Sequence, residues 1–259
     1  MKGIFKLFLN LIPRPWLIKF SYLIKPLFEL YYKGNTFEDP IDGKTFRSFL
    51  PYGYENPREN VLSPSTLSLE RHRLLWLYLT RETNFFTAQL KVLHVAPEQA
   101  FLKTFRALKN ISYTTTDLES PIADIKADIC NLPFEDNSYD VILCNHVLEH
   151  ITDDTKAMKE LYRVLRPNGW GIFQVPQDLE RKVTFQDDSI TDKKERAKIF
   201  GQYDHVRIYG LDYFDKLSQA GFKVTPIPFT GILSKTDIKR YCLAEGEVIP
   251  LVRKQPIQL

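Results

Sequence analysis

The chain has 259 residues, of which 44% are hydrophobic and 26% are charged. This composition is typical of a soluble globular protein and excludes both long disorder and a bundle of membrane spans. The 35 basic and 32 acidic residues leave a net charge of only +3, and they are interspersed, so no basic face predicts a nucleic-acid partner. Cys130, Cys144 and Cys242 are far apart in apolar surroundings, which indicates reduced thiols and a cytoplasmic location.

Residues 1–33 are a basic, apolar arm in which Glu29 is the one acidic residue. Apolar residues recur at helical spacing on both sides of Pro13 and Pro15, which predicts two short amphipathic helices. No uncharged run in the arm is long enough to cross a bilayer. The apolar faces of these helices either pack on the main domain or make peripheral contact with the inner face of an anionic membrane.

Residues 34–66 are rich in Gly, Pro, Asn and Asp and predict a small connecting subdomain with loops and a hairpin. Residues 67–259 form the main domain, which opens with a helix. Strand and helix patterns then alternate, which predicts an α/β fold with a doubly wound sheet. The predicted strands are Lys91–Ala96, Ser112–Thr116, Asp140–Asn145, Gly171–Val175, Phe222–Ile227 and Tyr241–Pro250, and the main helices are Phe101–Lys109, Thr155–Leu165 and Leu211–Ala220.

Ligands of open α/β sheets bind beyond the carboxyl ends of the strands. The first predicted strand is followed by a compact turn that includes Ala96 and Glu98 and has no glycine. Asp117 ends the second strand, where an acid accepts both hydroxyls of a cofactor ribose. An acid in this place is often only a turn or helix cap, so Asp117 alone does not identify a nucleotide site.

A longer pattern follows this acid. It comprises Asp128-Ile129-Cys130-Asn131-Leu132-Pro133-Phe134, then Tyr139-Asp140-Val141-Ile142-Leu143-Cys144-Asn145-His146-Val147-Leu148-Glu149-His150, and then Leu165-Arg166-Pro167-Asn168-Gly169. The string resembles the class I S-adenosylmethionine-dependent methyltransferases of the methyltransferase-11 type. That resemblance implies a Rossmann-like, doubly wound, seven-stranded sheet and S-adenosylmethionine as cofactor.

The resemblance also implies roles for individual residues. Asp117 holds the ribose, Asp128 accepts from the adenine amino group with Ile129 against the ring, and Asn145 lies beside the methionine end. The family's glycine-rich first loop is replaced by a segment with His94, Ala96, Glu98 and Ala100. Either this is a compact loop that still binds the cofactor, with Glu98 facing its cationic groups, or the chain is a scaffold without catalysis.

A second resemblance concerns residues 34–66, because similar proteins carry two Cys-x-x-Cys pairs of a zinc knuckle before a Ser-Leu-Glu-Arg-His-Arg segment. Asp39-Pro40-Ile41-Asp42 and Ser63-Pro64-Ser65-Thr66 stand at those places here. Hydroxyls are poor substitutes for thiolates around zinc, so a degenerate, metal-free knuckle is predicted. Glu149 and His150 could also support a metal, but the sequence identifies no further ligand beside them, and no metal is predicted there.

Methyl transfer requires alignment of nucleophile, methyl and sulfur, and removal of a proton where the acceptor is a hydroxyl. His150 and His205 are the candidate bases, although His150 could instead have the structural role of holding its loop against the following helix. His146 is a candidate for the substrate side. Residues 176–209 form an insertion too long to be an idle loop, and Arg207 within it would suit an anionic or sugar substituent of the substrate.

The predicted function is S-adenosylmethionine-dependent methyl transfer to a hydroxyl of a small molecule, a glycan or a lipid-linked acceptor. A non-catalytic binding protein on the same fold is the alternative. A nicotinamide dehydrogenase is disfavoured because the Gly-x-Gly-x-x-Gly pattern is missing. Enzymes that methylate amino groups of bases or of glutamine carry an Asn/Asp-Pro-Pro-Phe/Tyr signature after the fourth strand. The chain does not resemble them there, since Asn145 is followed by His146-Val147, and methylation of nucleic-acid nitrogen is therefore disfavoured. The sequence does not predict an oligomeric state.

Overall fold

The computed structural model describes residues 26–53 and 57–256. Residues 1–25 of the predicted amphipathic arm lie outside this range, and residues 26–32 are helical. The chain divides into two compact units, one with residues up to 82, 99–101 and 230–247, and the other with residues 83–98, 102–229 and those from Val248 onward. Within the described ranges, no helix is both long enough and apolar enough to span a bilayer.

In chain order the elements are β1 (Lys33–Glu38), β2 (Thr45–Phe46), β3 (Leu50–Tyr52), β4 (Arg58–Leu62), α1 (Glu70–Glu82), β5 (Leu90–Val95), α2 (Gln99–Ala107), β6 (Ile111–Asp117), β7 (Ile125–Lys126), β8 (Tyr139–Cys144), α3 (Asp154–Val164), β9 (Leu165–Ile172), β10 (Phe185–Gln186), α4 (Lys193–Phe200), β11 (Arg207–Ile208), α5 (Tyr213–Gln219), β12 (Lys223–Ile227), α6 (Lys235–Arg240) and β13 (Ile249–Arg253). Short 3₁₀ turns cover Leu148–His150 and Phe229–Ile232.

The first unit contains two small antiparallel strand pairs, β1 with β2 and β3 with β4. Phe46 and Phe49 are buried between these pairs, with ring centroids 5.9 Å apart. The connecting region was predicted to hold one hairpin, and the structure has a second pair because β3 and β4 bring the chain back toward α1. The buried face of α1 includes Leu74, Leu75 and Leu79.

The two segments that resemble a degenerate zinc knuckle are joined by hydrogen bonds. The buried carboxylate of Asp39 accepts from the hydroxyls of Thr66 and Ser68, the latter at 2.9 Å, and from the backbone N–H of Ile41 at 3.0 Å. Asp42 accepts from the hydroxyl of Ser65 at 3.2 Å. Hydroxyl donors and carboxylate acceptors therefore occupy the positions of the thiolates, and the absence of zinc there stays a prediction.

Across the described part of the second unit, seven strands form one sheet in the order β12-β13-β9-β8-β5-β6-β7. Neighbouring strands are parallel from β9 to β7, while β13 runs antiparallel to both β9 and β12. This topology confirms the predicted Rossmann-like, seven-stranded α/β fold. β5 and β8 lie at its centre, and their side chains from Val92 to Val95 and from Val141 to Cys144 are buried, as expected for parallel strands covered on both faces.

The predicted last strand, Tyr241–Pro250, is wrong in its position. The structure has α6, then a turn with Gly246 at φ +79°, and the strand at Ile249–Arg253. Ser234 caps α6 by accepting from the N–H of Asp237 at 3.0 Å. This Ser-x-x-Asp pattern is a helix start signal that the sequence contained. The polar residues of the turn interrupt the apolar alternation, so β13 begins only where that alternation resumes.

The insertion between β9 and α5 is partly ordered by a short antiparallel pair, β10 with β11, that the sequence pattern did not reveal. Its charged run was predicted to be a solvated helix, and α4 covers part of it with most side chains exposed. Asp192 caps this helix by accepting from the N–H groups of Lys194 and Glu195. The β10–β11 pair places the residues that follow α4 beside the turn after β8.

Candidate functional site

The carboxyl ends of β5, β6 and β8 meet at one edge of the sheet. Val95 at the end of β5 is paired with Thr116 of β6 and with Cys144 of β8. The N–H of Ala96 donates to the carbonyl oxygen of Thr116 at 2.8 Å, which fixes the start of the first loop. Ala96, Asp117 and Asn145 each follow these paired residues directly, and therefore share the edge where ligands of this fold class bind.

The first loop achieves its turn without glycine. Ala96 has φ +49°, in the left-handed region that favours glycine. The ring of His94 is buried and bridges Tyr113 and Glu98, with its Nδ1 2.7 Å from the Tyr113 hydroxyl and its Nε2 3.1 Å from Glu98 Oε2. Side-chain hydrogen bonds thus hold a loop that glycine would hold by conformational freedom, and they aim the Glu98 carboxylate toward the next strand, β8.

The two acids predicted to bind the nucleoside both lie in turns at this edge. Asp117 Oδ1 accepts from the N–H groups of Glu119 at 2.8 Å and Ser120 at 2.6 Å. Asp128 Oδ1 accepts from the N–H of Cys130 at 2.8 Å, and its side chain is exposed. Ile129 beside it is buried in the core. Both carboxylates therefore also cap turns, which is the purely structural role that the sequence allowed for Asp117.

Asn145 connects three parts of the edge. Its Nδ2 donates to Glu98 Oε2 at 3.4 Å, and its Oδ1 accepts from the N–H of Gln174 at 3.2 Å. His146 follows at φ +55°, and its N–H donates to the carbonyl oxygen of Gln174 at 2.7 Å. Both Ala96 and His146 are therefore held in left-handed backbone conformations at strand ends, where strain of this kind is commonly found in functional sites.

A cluster of ionisable side chains follows β8 and is called here the Glu149 cluster, formed by Glu149, His150 and His205. One ligand atom from each residue lies within 4.8 Å of the others. The rings of His150 and His205 meet edge to face with centroids 4.8 Å apart. Glu149 and His205 are buried, while the His150 side chain is 31% exposed. The structure thus brings together both predicted candidate bases, although they are far apart in the sequence.

The burial of Glu149 is poorly compensated. Its Oε1 lies 3.2 Å from His146 Nδ1, and its Oε2 has no hydrogen-bond partner among the described residues. Burial acts to raise the pKa of this carboxyl, but the contact with His146, a backbone hydrogen bond and the nearby His150 together outweigh it, so the pKa lies below the usual value. Burial lowers the pKa of His205, and the nearby Glu149 partly offsets this effect, so the neutral form of the imidazole is favoured.

Arg207 was predicted to contact the substrate, and the structure shows which protein groups it contacts. Its side chain is fully buried, and its guanidinium donates to the carbonyl oxygens of Leu148 at 2.8 Å, Ile151 at 2.6 Å and Thr152 at 2.8 Å. Gln186 Oε1 accepts from the Nε and Nη2 of the same group. This geometry favours a role in fixing the turn that carries Glu149 and His150, since the donors face protein carbonyls.

Two residues of the site were not singled out by sequence reasoning. Gln174 follows β9 and joins Asn145 and His146 through its backbone. Asp204 supplies a carbonyl oxygen 3.2 Å from His150 Nδ1. The position of Gln174 just beyond the fifth strand of an α/β sheet was an available signal. The contact of Asp204 depends on how the insertion folds back, which no local pattern encodes.

Comparison with known proteins agrees with this geometry. Residues 83–173 match the family model described as a methyltransferase domain. A 45-residue segment is 42% identical to the ubiquinone/menaquinone biosynthesis C-methyltransferase UbiE of Haemophilus ducreyi, covering 17% of each chain. A 55-residue segment is 42% identical to a demethylmenaquinone methyltransferase of Staphylococcus epidermidis, covering 21% of this chain and 22% of the relative. The matches therefore span about a fifth of each relative's length.

Among solved structures, an S-adenosylmethionine-dependent methyltransferase from Mesorhizobium loti superposes with a TM-score of 0.51 and 12% identity, over 70% of this chain and 98% of that chain. At this identity the likeness concerns the fold. Together with the family match and the strand order, this likeness confirms that the segment from Asp128 to Gly169 resembles methyltransferases. Residues 83–173 thus match a methyltransferase domain, and the order and directions of the strands are those of a Rossmann-like α/β fold.

Proposed function

We propose that the protein transfers a methyl group from S-adenosylmethionine to a small-molecule acceptor. The observation that carries the proposal is the convergence of Asp117, Asn145 and Glu98 at one edge of the sheet, with Asn145 Nδ2 3.4 Å from Glu98 Oε2. This is the edge where the fold class binds its ligands. The matched methyltransferase segment contains the same three residues.

The residues present fit the cofactor. Asp117 keeps its Oδ1 in the turn, and we assign Oδ2 to the ribose hydroxyls. The exposed carboxylate of Asp128 is available to the adenine amino group, with Ile129 behind it. Glu98 offers a carboxyl group at this edge, which suits the cationic sulfonium or ammonium end. Ala96 provides the close backbone turn that glycine provides elsewhere. The bound cofactor supplies an activated methyl, which leaves alignment and proton removal to the protein.

We propose a hydroxyl as the acceptor atom, because Glu149, His150 and His205 provide groups suited to receiving or stabilising the charge of a deprotonating oxygen. A glycan or lipid-linked hydroxyl remains within this proposal. The names of the two curated relatives instead indicate methylation in quinone biosynthesis, and one of them names a carbon acceptor. Transfer of an isotope-labelled methyl group to a phenol, and to an analogue whose ring carbons are blocked, shows which atom is methylated. An oxygen acceptor is methylated in both compounds, whereas a carbon acceptor is methylated only in the unblocked phenol.

Calorimetric titration with S-adenosylmethionine and S-adenosylhomocysteine tests the cofactor site. Asp117→Asn keeps an acceptor for the turn but removes the charge, and should weaken binding about 10- to 100-fold because charged hydrogen bonds are lost. Asp187→Asn is the matched control, since Asp187 caps a similar exposed turn by accepting from the N–H of Ser189. No binding by the wild type would favour the alternative of a non-catalytic scaffold, and equal loss in both variants would contradict the assignment of Asp117.

We also propose peripheral membrane contact through residues 1–33. In the described part of this arm, Leu27, Leu30 and Tyr31 are exposed, with Leu30 at 73%. Exposed apolar side chains beside basic residues suit an anionic membrane surface. Sedimentation with anionic liposomes at low salt tests this, and a chain shortened to begin at Lys33 is the control. Failure of the full chain to sediment would contradict the membrane proposal.

A further inference from the structure

In the Glu149 cluster, the hydrogen bonds of the two histidine rings determine which ring nitrogen carries the lone pair. His205 Nδ1 lies 3.2 Å from the carbonyl oxygen of Phe200, and His150 Nδ1 lies 3.2 Å from that of Asp204. A carbonyl oxygen only accepts, so the proton of each neutral ring resides on Nδ1. The lone pair of each imidazole is therefore on Nε2, and the ring orientation is fixed from behind by the protein backbone.

This arrangement is the one found behind metal-binding histidines, whose second nitrogen donates to a carbonyl or carboxylate. His205 Nε2 and Glu149 Oε2 are buried and have no hydrogen-bond partner among the residues described. Burying two acceptors without a donor is costly. A cation placed between them would satisfy both at once, whereas a hydrogen-bonded partner for each would require two separate donors.

We propose that Glu149, His150 and His205 bind a divalent cation, with Zn²⁺ as the best-fitting ion. Two imidazole nitrogens and one carboxylate oxygen are a donor set that zinc accepts, with one position left open for an exchangeable ligand. His205 belongs to the insertion, so the site forms only when residues 176–209 are folded as they are in this structure. Glu149 and His150 lie in the turn that follows β8 and Asn145, next to the edge described above.

The spacing is compatible with this ion. Ligand atoms of one tetrahedral zinc lie about 3.4 Å apart. One ligand atom from each of the three residues already lies within 4.8 Å of the others, so a modest rearrangement of the side chains is enough to reach the spacing that zinc needs. His150 is the partly exposed member and has room to shift. The role at the acceptor rests on the proposed function: a hydroxyl that coordinates the cation has a lowered pKa. Binding of the ion itself is independent of that function.

The experiment is a zinc titration of chelator-treated, untagged full-length protein by calorimetry, without S-adenosylmethionine. Cobalt(II) absorption then reports on the geometry of the bound ion. We expect one zinc for each chain, and binding at least ~100-fold weaker in Glu149→Gln and in His205→Ala. Asp42→Asn and Cys130→Ser are the control variants, because they alter other candidate ligands, and they should bind as the wild type does.

Thermal unfolding of each metal-free variant shows whether it is folded, and Glu149→Gln preserves side-chain size if His205→Ala does not fold. The proposal is overturned if the wild type binds no zinc, if both variants still bind it, or if Asp42→Asn abolishes binding. Zinc binding is measured without cofactor and cofactor binding without zinc. Failure of one therefore remains distinguishable from failure of the other.

Discussion

Each of the two compact units buries an arginine among backbone carbonyl groups, and each also buries an acid, Asp39 in the first unit and Glu149 in the second, but the hydrogen bonding of these two acids differs. In the first unit, Arg73 donates to the carbonyl oxygens of Val61 and Ser68, at 3.0 and 2.8 Å, and of Tyr241, at 2.6 Å. In the second unit, Arg207 fixes the turn after β8 in the same way. Asp39 is saturated by donors, whereas Glu149 keeps an oxygen without a hydrogen-bond partner among the described residues.

The difference separates stability from function. A buried carboxylate whose oxygens all accept hydrogen bonds contributes to folding, and nothing further can bind to it. A buried carboxylate with an unused oxygen is less well compensated for the loss of water, and it is retained where the oxygen has another use. We therefore expect substitutions of Asp39 to act mainly on the free energy of unfolding, and substitutions of Glu149 to act mainly on binding and turnover.

The largest effect on stability is expected at Asp39. Asp39→Ala removes the acceptor for the Thr66 and Ser68 hydroxyls and the Ile41 N–H, so the free energy of unfolding should fall by about 3 kcal/mol. Urea denaturation measures this. Asp42→Ala is the control, since Asp42 is partly exposed and should cost only about 1 kcal/mol. Equal costs for the two variants would contradict the large stabilisation assigned to the buried carboxylate of Asp39.

A smaller effect is expected at Arg207. Arg207→Lys keeps the charge but cannot reach all the carbonyl groups that the planar guanidinium contacts, so the free energy of unfolding should fall by about 2 kcal/mol. Loosening the turn that carries Glu149 and His150 should lower kcat with little change in KM. A large rise in KM with unchanged stability would support the original prediction that Arg207 contacts the substrate.

The sequence predicted the edge of the sheet better than the cluster beside it. Asp117 and Asn145 follow strands whose apolar patterns are local, and parallel pairing brings such strand ends together in any fold of this class. The contact of His205 with His150 depends on the path of the whole insertion, and the burial of Arg207 depends on carbonyl groups supplied by a distant turn. Neither leaves a periodic signal in the sequence, because long-range packing determines both.

A third, smaller effect concerns Glu247, a second acid of the first unit, whose pKa is shifted by burial. Burial raises the pKa of Glu247 from 4.5 to about 7. Its protonated form is favoured in the folded state, so the stability it contributes is present below pH 4.5 and lost as the pH rises to about 7. Glu247→Gln should therefore gain on the order of 1 kcal/mol relative to wild type between pH 4 and pH 8. Urea denaturation at both values measures it, and a pH-independent difference would contradict it.

The smallest expected change in stability is at Glu149. It tests the comparison between Asp39 as a structural acid and Glu149 as a functional one. Glu149→Gln removes a charge whose Oε2 has no hydrogen-bond partner in the described residues and whose Oε1 lies 3.2 Å from His146 Nδ1. The lost ion pair and the relieved desolvation oppose each other, so metal-free protein should change by less than about 0.5 kcal/mol. Urea denaturation with a chelator present measures this. A loss as large as that of Asp39→Ala would show that Glu149 is a structural acid too, and that its buried oxygen is not held ready for a ligand.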